Sequence, residues 1–352
     1  MKYKKILLLF PDYAGGHFGA LRPPAGIGYL AQMLQEEGVE YDVLDMAAGG
    51  NLHALKIKLL SFKPDIVAIS LMSFMYKRSY HIVNWVKEES GGVTVVAGGP
   101  HISTLREKAL EQCNGLDYGI VQEGEYTLLD LCKGLDVESI PGLLYRKNGK
   151  VNYVGPRSFE KNLDKFPFPK FEKFSLGKYV TGEIGIVSSR GCPFNCTYCP
   201  VKTSIGQQYR IRSAESIVEE ITYWYNRGFK QISILDDNFT LNKERVFEIC
   251  EAICKKDLKD IELNCNNGIR ADRVDREMLS AMKLAGFKYF AFGIESGNEQ
   301  VLKNIKKSQD IGVIENALKI ATELDFTVTL FFIVGAPGED LTTVKESIVL
   351  AK

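Results

Sequence analysis

The chain has 352 residues, 45% of them hydrophobic and 25% charged, with 44 basic against 44 acidic side chains. This is an ordinary globular composition at two-domain length, which excludes disordered and fibrous chains, and its balanced charge carries no footprint for nucleic acid or an anionic membrane. The longest early apolar run, Ile6–Phe10, is too short for a signal sequence or a membrane span, so a cytoplasmic protein is expected.

Lys4–Phe10 is a short buried strand, and Ile27–Glu37 is helical, ending at Gly38. Strand 39–45, helix Leu52–Phe62, the apolar run PDIVAISL, helix Tyr76–Glu89, strand VTVVAGG, helix Ser103–Gln112 and DYGIVQEGE follow in turn. Apolar runs alternating with helices predict a parallel, doubly wound sheet over residues 1–140, with ligands outside the carboxyl ends of its strands. The loops there read PDYAGGHFG, SLMSFM, GGPHIS and QEGE. Residues 141–182 break the rhythm, with a hairpin at PGLLYRKNGKV and a connector around FPFPKF. From residue 183 a second series begins: five strands, each followed by a helix, the last starting at Leu341. That is the rhythm of a partial, open β/α barrel, and the chain is expected to stop short inside the fifth helix.

Eight cysteines in a chain of this kind do not suggest a disulfide framework. Cys192, Cys196 and Cys199 cluster at spacing CxxxCxxC in RGCPFNCTYCP, directly after the first barrel strand. Three thiolates on one short loop suit three irons of a 4Fe–4S cubane, leaving the fourth iron open. A structural zinc ion wants four ligands, and no histidine follows His101, so zinc would have to borrow Cys265 or a group from the first domain. Cys250 and Cys254, four apart on a helix, are expected to face the core.

The cysteine motif after the first strand of a partial barrel resembles the radical S-adenosylmethionine (SAM) superfamily. The whole chain is similar to the branch of that family with a B12-binding domain. RPPAGIGYLAQMLQEEG, GGPHIS, EGE, ILDDNFT, GIESG and GAPGE carry the likeness over most of residues 20–340. The resemblance implies an N-terminal Rossmann-like cobalamin-binding domain (1–140), a hairpin and linker (141–182), and a radical SAM barrel (183–352). It implies three cofactors: the 4Fe–4S cluster, S-adenosylmethionine and cobalamin. It also implies an external electron donor of flavodoxin or ferredoxin type and a small-molecule or peptide substrate. No nucleic acid partner and no membrane span are expected.

For S-adenosylmethionine the resemblance points to Tyr198 against the adenine and to Asp236 or Asp237 near the methionine amino group. Arg270 is the candidate for the methionine carboxylate, Glu295 or Ser296 for the ribose, and Gly335, Ala336 and Pro337 for close backbone approach to the adenine. Each has a plainer alternative: a helix cap at Asp236, Asp237 or Asn238, a salt bridge from Arg270 to Asp272 or Asp275, a turn before Asn298, and a strand-to-helix turn at 335–337. For cobalamin it points to Ser70, Ser73, Gly98, Gly99, His101, Glu123, Gly124 and Glu125. The first loop lacks the spacing that supplies an axial histidine in methionine-synthase-type domains, so His17 is not expected on cobalt.

The expected activity is reductive cleavage of S-adenosylmethionine, with methyl transfer to an unactivated carbon or phosphorus centre. Three alternatives remain open at this level. They are cyclisation or rearrangement with the same cofactors, a radical enzyme whose first domain has lost cobalamin, and a catalytically incomplete binding or regulatory protein.

Overall fold

The computed structural model describes residues 1–12 and 20–352. The loop PDYAGGHFG, with His17, lies almost entirely outside the described residues. The chain forms two compact units. One holds Met1–Glu160, Lys165–Gly182 and Thr203–Ile205; the other holds Lys161–Asp164, Glu183–Lys202 and Gly206–Lys352. No helix among the described residues is long and apolar enough to cross a membrane.

The first unit is built on β1 (Lys5–Phe10), β2 (Glu40–Asp45), β3 (Ile66–Ser70), β4 (Thr94–Gly98), β5 (Tyr118–Ile120), β6 (Leu143–Lys147) and β7 (Lys150–Tyr153). They form one sheet in the order β2-β1-β3-β4-β5-β6-β7. The first five are parallel and the last two antiparallel. The parallel part is a doubly wound sheet whose strand order reverses between β1 and β3, the point at which such sheets bind ligands. Ile6, Leu7, Leu8 and Leu9 are fully buried, as helix layers on both faces of a parallel strand require.

Two expectations change here. The segment 141–182 groups with the first unit apart from Lys161–Asp164. Its hairpin extends the first sheet through antiparallel pairing of β6 with β5, and Lys170 N–H donates to Gln32 Oε1 at 3.1 Å. The helix expected over 103–112 is two short ones, Pro100–Leu105 and Glu107–Gln112, broken at Arg106, whose φ is +51°.

The second unit contains β8 (Ile184–Ile186), β9 (Ser189–Arg190), β10 (Arg210–Ile211), β11 (Gln231–Ile234), β12 (Glu262–Ile269), β13 (Phe287–Glu295) and β14 (Thr327–Phe332). Five of them form a parallel sheet in the order β14-β13-β12-β11-β8, the open half-barrel arrangement expected; β9 and β10 make a small antiparallel ribbon. Its helices start where short polar side chains cap them: Ser213 accepts from Ser216 N–H, Asn242 from Arg245 N–H, Asp275 from Met278 N–H and Asp310 from Val313 N–H. On β12, Leu263, Cys265 and Ile269 are buried while Asn264 and Asn266 on the other face are half-buried. One face therefore packs on helices and the other is polar. Cys250 is buried with Ile249 and Ile253, but Cys254 is exposed, against expectation. It lies at the last position of its helix, where the buried stripe has rotated away.

Candidate functional site

In the first unit, Ser70, Gly98 and Glu123 lie at or just beyond the carboxyl ends of β3, β4 and β5. Ser70 pairs with Gly98 across the sheet, and Leu71 N–H donates to Gly98 O at 2.8 Å. Gly99 has φ +95°, and a Cβ there would sit 2.8 Å from Leu71 O and 3.3 Å from Ser70 Oγ. Only glycine lets these two strand ends close on each other. Gly99 therefore shapes the edge, whereas a Cβ on Gly98 would meet nothing nearer than 3.9 Å. Gly124 starts the helix Glu125–Lys133, its carbonyl accepting from Leu128 N–H at 2.8 Å, and Glu125 is buried.

His101 is not a mouth residue. It is 3% exposed, with Nε2 2.9 Å from Tyr80 Oη, Nδ1 3.2 Å from Ser73 Oγ and its ring stacked on Tyr76. Burial holds its pKa below the usual histidine value, so it is a neutral core imidazole. What it presents at the edge is Ser73, which is exposed.

In the second unit the cysteine loop leaves β9. Gly191 has φ +89° and a Cβ there would lie 2.3 Å from Gln208 O, so the loop turns against backbone. Cys192 N–H donates to Gly206 O at 3.2 Å, Thr197 N–H to Ile305 O at 2.9 Å and Cys199 N–H to Cys196 O at 3.2 Å. Cys196 is buried; Cys192 and Cys199 are half-buried. Among the described residues no group of three His, Cys, Asp or Glu side chains is placed to hold a metal ion. A structural zinc ion wants four donors, whereas a cubane takes each thiolate on its own iron, so three thiols on one short loop suit the cluster. Burial holds the Cys192 and Cys199 thiols above their usual range, and the negative charge of Asp237 adds to it. Metal ligation reverses that balance by deprotonating a thiol outright. The donor set therefore fits an iron–sulfur cluster.

The two aspartates have different fates. Asp236 is 3% exposed and accepts from Ser188 N–H at 2.7 Å, Ser188 Oγ at 2.6 Å and Ser189 Oγ at 2.6 Å. Its carboxylate is spent on anchoring the start of the cysteine loop and is not available to a ligand amine. Asp237 is half-buried and faces the thiols. Burial and the neighbouring Asp236 push its pKa up to about 6, against a backbone hydrogen bond from Gly191.

Arg270 forms the plainer alternative. Its Nε and Nη2 hold Asp272 bidentately at 2.8 and 3.0 Å, Nη2 also donates to Lys307 O at 2.9 Å, and the guanidinium lies 3.7 Å from the centre of the Phe194 ring. It braces the cysteine loop through Phe194. Ser296 is fully buried and its Oγ accepts from Asn298 N–H at 3.2 Å, so it belongs to the turn. Glu295 Oε1 accepts from Tyr198 Oη at 2.8 Å and Lys307 Nζ at 2.9 Å. Gly335 has φ +88° with open space where a Cβ would be, its N–H donates to Glu339, and Pro337 O accepts from Asn304 at 2.8 Å.

Two family models match: the Radical SAM superfamily over residues 186–351 and the B12 binding domain over residues 13–132. An uncharacterized methyltransferase of Pyrococcus horikoshii is 33% identical over all of this chain and 78% of its own length. The chain belongs to the radical SAM proteins with a B12-binding domain. A cytidylyl-2-hydroxyethylphosphonate methyltransferase of Streptomyces wedmorensis is 27% identical over 96% of this radical SAM chain and 73% of its own. The methyltransferase TsrM of Kitasatospora setae, solved with cobalamin and a [4Fe-4S] cluster, shares the fold: TM-score 0.85, 19% identity, 99% of this chain and 73% of that one.

Sequence reasoning missed four supporting residues of this radical SAM site. Lys307 reads as one of two adjacent loop lysines. Ser188 and Ser189 read as the end of a strand. Arg245, whose Nη2 donates to Ser188 O at 2.6 Å and Ser188 Oγ at 2.7 Å, reads as a surface helix residue yet is 3% exposed. Only the capping position of Asn242, which turns Arg245 inward at the third helical position, hinted at it.

Proposed function

We propose that this protein is a cobalamin-dependent radical SAM enzyme that transfers a methyl group to an unactivated carbon or phosphorus centre of a small molecule. A cysteine loop of cluster spacing at the carboxyl edge of an open parallel barrel, in a chain of this family, carries the proposal. When bound, the cluster supplies the electron that cleaves S-adenosylmethionine and the corrinoid supplies a methyl group to transfer.

The chain's own part is binding and orientation. Cys192, Cys196 and Cys199 hold the cluster on a loop pinned by Asp236, Arg245 and Ile305 O. Asp237 faces the place where the amine of S-adenosylmethionine would lie, as a hydrogen-bond acceptor. Tyr198 offers its ring to the adenine and Glu295 its carboxylate to the ribose. The turn at Gly335–Pro337 leaves room for a flat base. In the first unit, Ser70, Ser73 and the loop closed by Gly99 form the polar rim for the corrinoid. A flavodoxin- or ferredoxin-type protein delivers the electron.

The test is anaerobic reconstitution with iron, sulfide and hydroxocobalamin, followed by desalting and a reductive cleavage assay. Retained corrin with 5′-deoxyadenosine formation is expected, and Cys196→Ala should abolish the latter. Undiminished cleavage by that variant refutes the cluster assignment, and loss of all corrin on desalting refutes the cobalamin part.

A further inference from the structure

The loop between helices Glu299–Asn304 and Ile311–Glu323 buries an ammonium group. Lys307 is 6% exposed, a degree of burial that lysine tolerates only when paired. Its Nζ donates to Glu295 Oε1 at 2.9 Å and to Tyr198 Oη at 3.3 Å, and Tyr198 Oη donates to the same Oε1 at 2.8 Å. Both contacts fall on one carboxylate oxygen. Oε2 has no hydrogen-bond partner among the described residues.

The backbone around this cluster is shaped to hold it. Arg270 Nη2 donates to the carbonyls of Lys307 at 2.9 Å and Ser308 at 3.3 Å, and Lys307 N–H donates to Leu302 O at 2.9 Å. Glu295 sits at φ +70°, where β13 shifts register against β14. A non-glycine residue keeps such a conformation only when its surroundings enforce it. Two residues earlier, a Cβ on Gly293 would lie 2.8 Å from Glu295 Oε1 and 2.9 Å from Lys307 Nζ. The left-handed glutamate, the glycine and the lysine loop all converge on keeping Oε1 occupied.

We infer that Lys307 is a positioning residue for the nucleoside end of S-adenosylmethionine. It fixes Glu295 through Oε1 so that Oε2 is presented, immobile, to the ribose hydroxyls, and it holds the Tyr198 phenol in place beside the adenine. A carboxylate already frozen in its bound rotamer loses no freedom on binding, and its hydrogen bonds to hydroxyls are charge-assisted. This inference rests on the proposed use of S-adenosylmethionine.

The experiment is calorimetric titration of the cluster-reconstituted full chain with S-adenosylhomocysteine and with its 2′-deoxyribose analogue, for wild type, Lys307→Met, Glu295→Gln and the double variant, each checked for iron content. Lys307→Met should weaken S-adenosylhomocysteine binding about tenfold (~1.4 kcal/mol) and the 2′-deoxy analogue about twofold or less. In the Glu295→Gln background it should add nothing, because the two residues act as a unit. Lys307→Arg should restore part of the affinity. Equal losses with both ligands, or fully additive losses in the double variant, overturn the positioning role. Should Lys307→Met fail to fold with its unpaired carboxylate, the comparison of Glu295→Gln with the double variant still decides. A wild-type chain that carries its cluster but ignores S-adenosylhomocysteine overturns the parent proposal and this one with it.

Discussion

Replacing Gly191 by alanine tests whether the cysteine loop is held by backbone packing. Its φ of +89° costs a residue with a Cβ about 1–2 kcal/mol. The added Cβ would also lie 2.3 Å from Gln208 O and 3.0 Å from Gly206 O, the carbonyl that accepts from Cys192 N–H. Backbone cannot rotate aside as a side chain can, so relief means moving one strand of the loop away from the other. Overpacking of this kind costs ~1–3 kcal/mol and the strained hydrogen bond about 1 more, some 3–6 kcal/mol in all. Gly228 is a matched control: it too has φ +89°, with nothing within 4 Å of a Cβ. Gly228→Ala should therefore lose only the backbone part, ~1–2 kcal/mol. The assay is the denaturant midpoint of the second unit's transition, with iron bound per chain after reconstitution as the functional readout. Gly191→Ala should fall well below Gly228→Ala in stability and hold little iron. Equal midpoints and full iron in both would refute the claim that Gln208 and Gly206 clamp the loop.

Two further outcomes are expected. Arg212 and Glu220 form an ion pair almost sealed from solvent, and Arg212 Nη1 also donates to Val187 O at 3.1 Å, just ahead of the cysteine loop. Arg212→Met leaves an unpaired buried carboxylate and should cost about 3–5 kcal/mol by chemical denaturation. Burial raises the pKa of Glu220, an effect Arg212 opposes, so the variant should regain stability as pH falls from 7 towards 4.5, and adding Glu220→Gln should remove that slope. In the first unit, burial lowers the pKa of His101, which faces Tyr80, Tyr76 and Ser73. The unfolded chain then binds the proton more readily, so stability is complete above about pH 6.5 and declines as pH falls towards the folded pKa. His101→Phe should flatten that decline between pH 7 and 5, and an unchanged slope would mean that other groups carry it.

The sequence by itself determined the architecture and the chemistry of the cluster site. Apolar runs buried on both faces, alternating with capped helices, leave parallel sheets as the stable solution, and three cysteines within eight residues must share one loop wherever that loop folds. The register of GGPHIS against β3 was legible only as a glycine-rich turn. What the tertiary structure decided is which of several plausible polar residues remain free. Asp236 and Asp237 are adjacent and chemically identical, yet Ser188 and Ser189 consume the first while the second faces the thiols. Arg270 turned to Asp272, His101 into the core, and Ser296 into its own turn. Lys307, one of two adjacent lysines, became the buried partner of Glu295. Local sequence carries periodicity and spacing. Whether a side chain is spent or left to a ligand depends on which partners folding brings into hydrogen-bond reach, two residues away for Arg270 and Ser296 but 48 for Asp236 and Ser188.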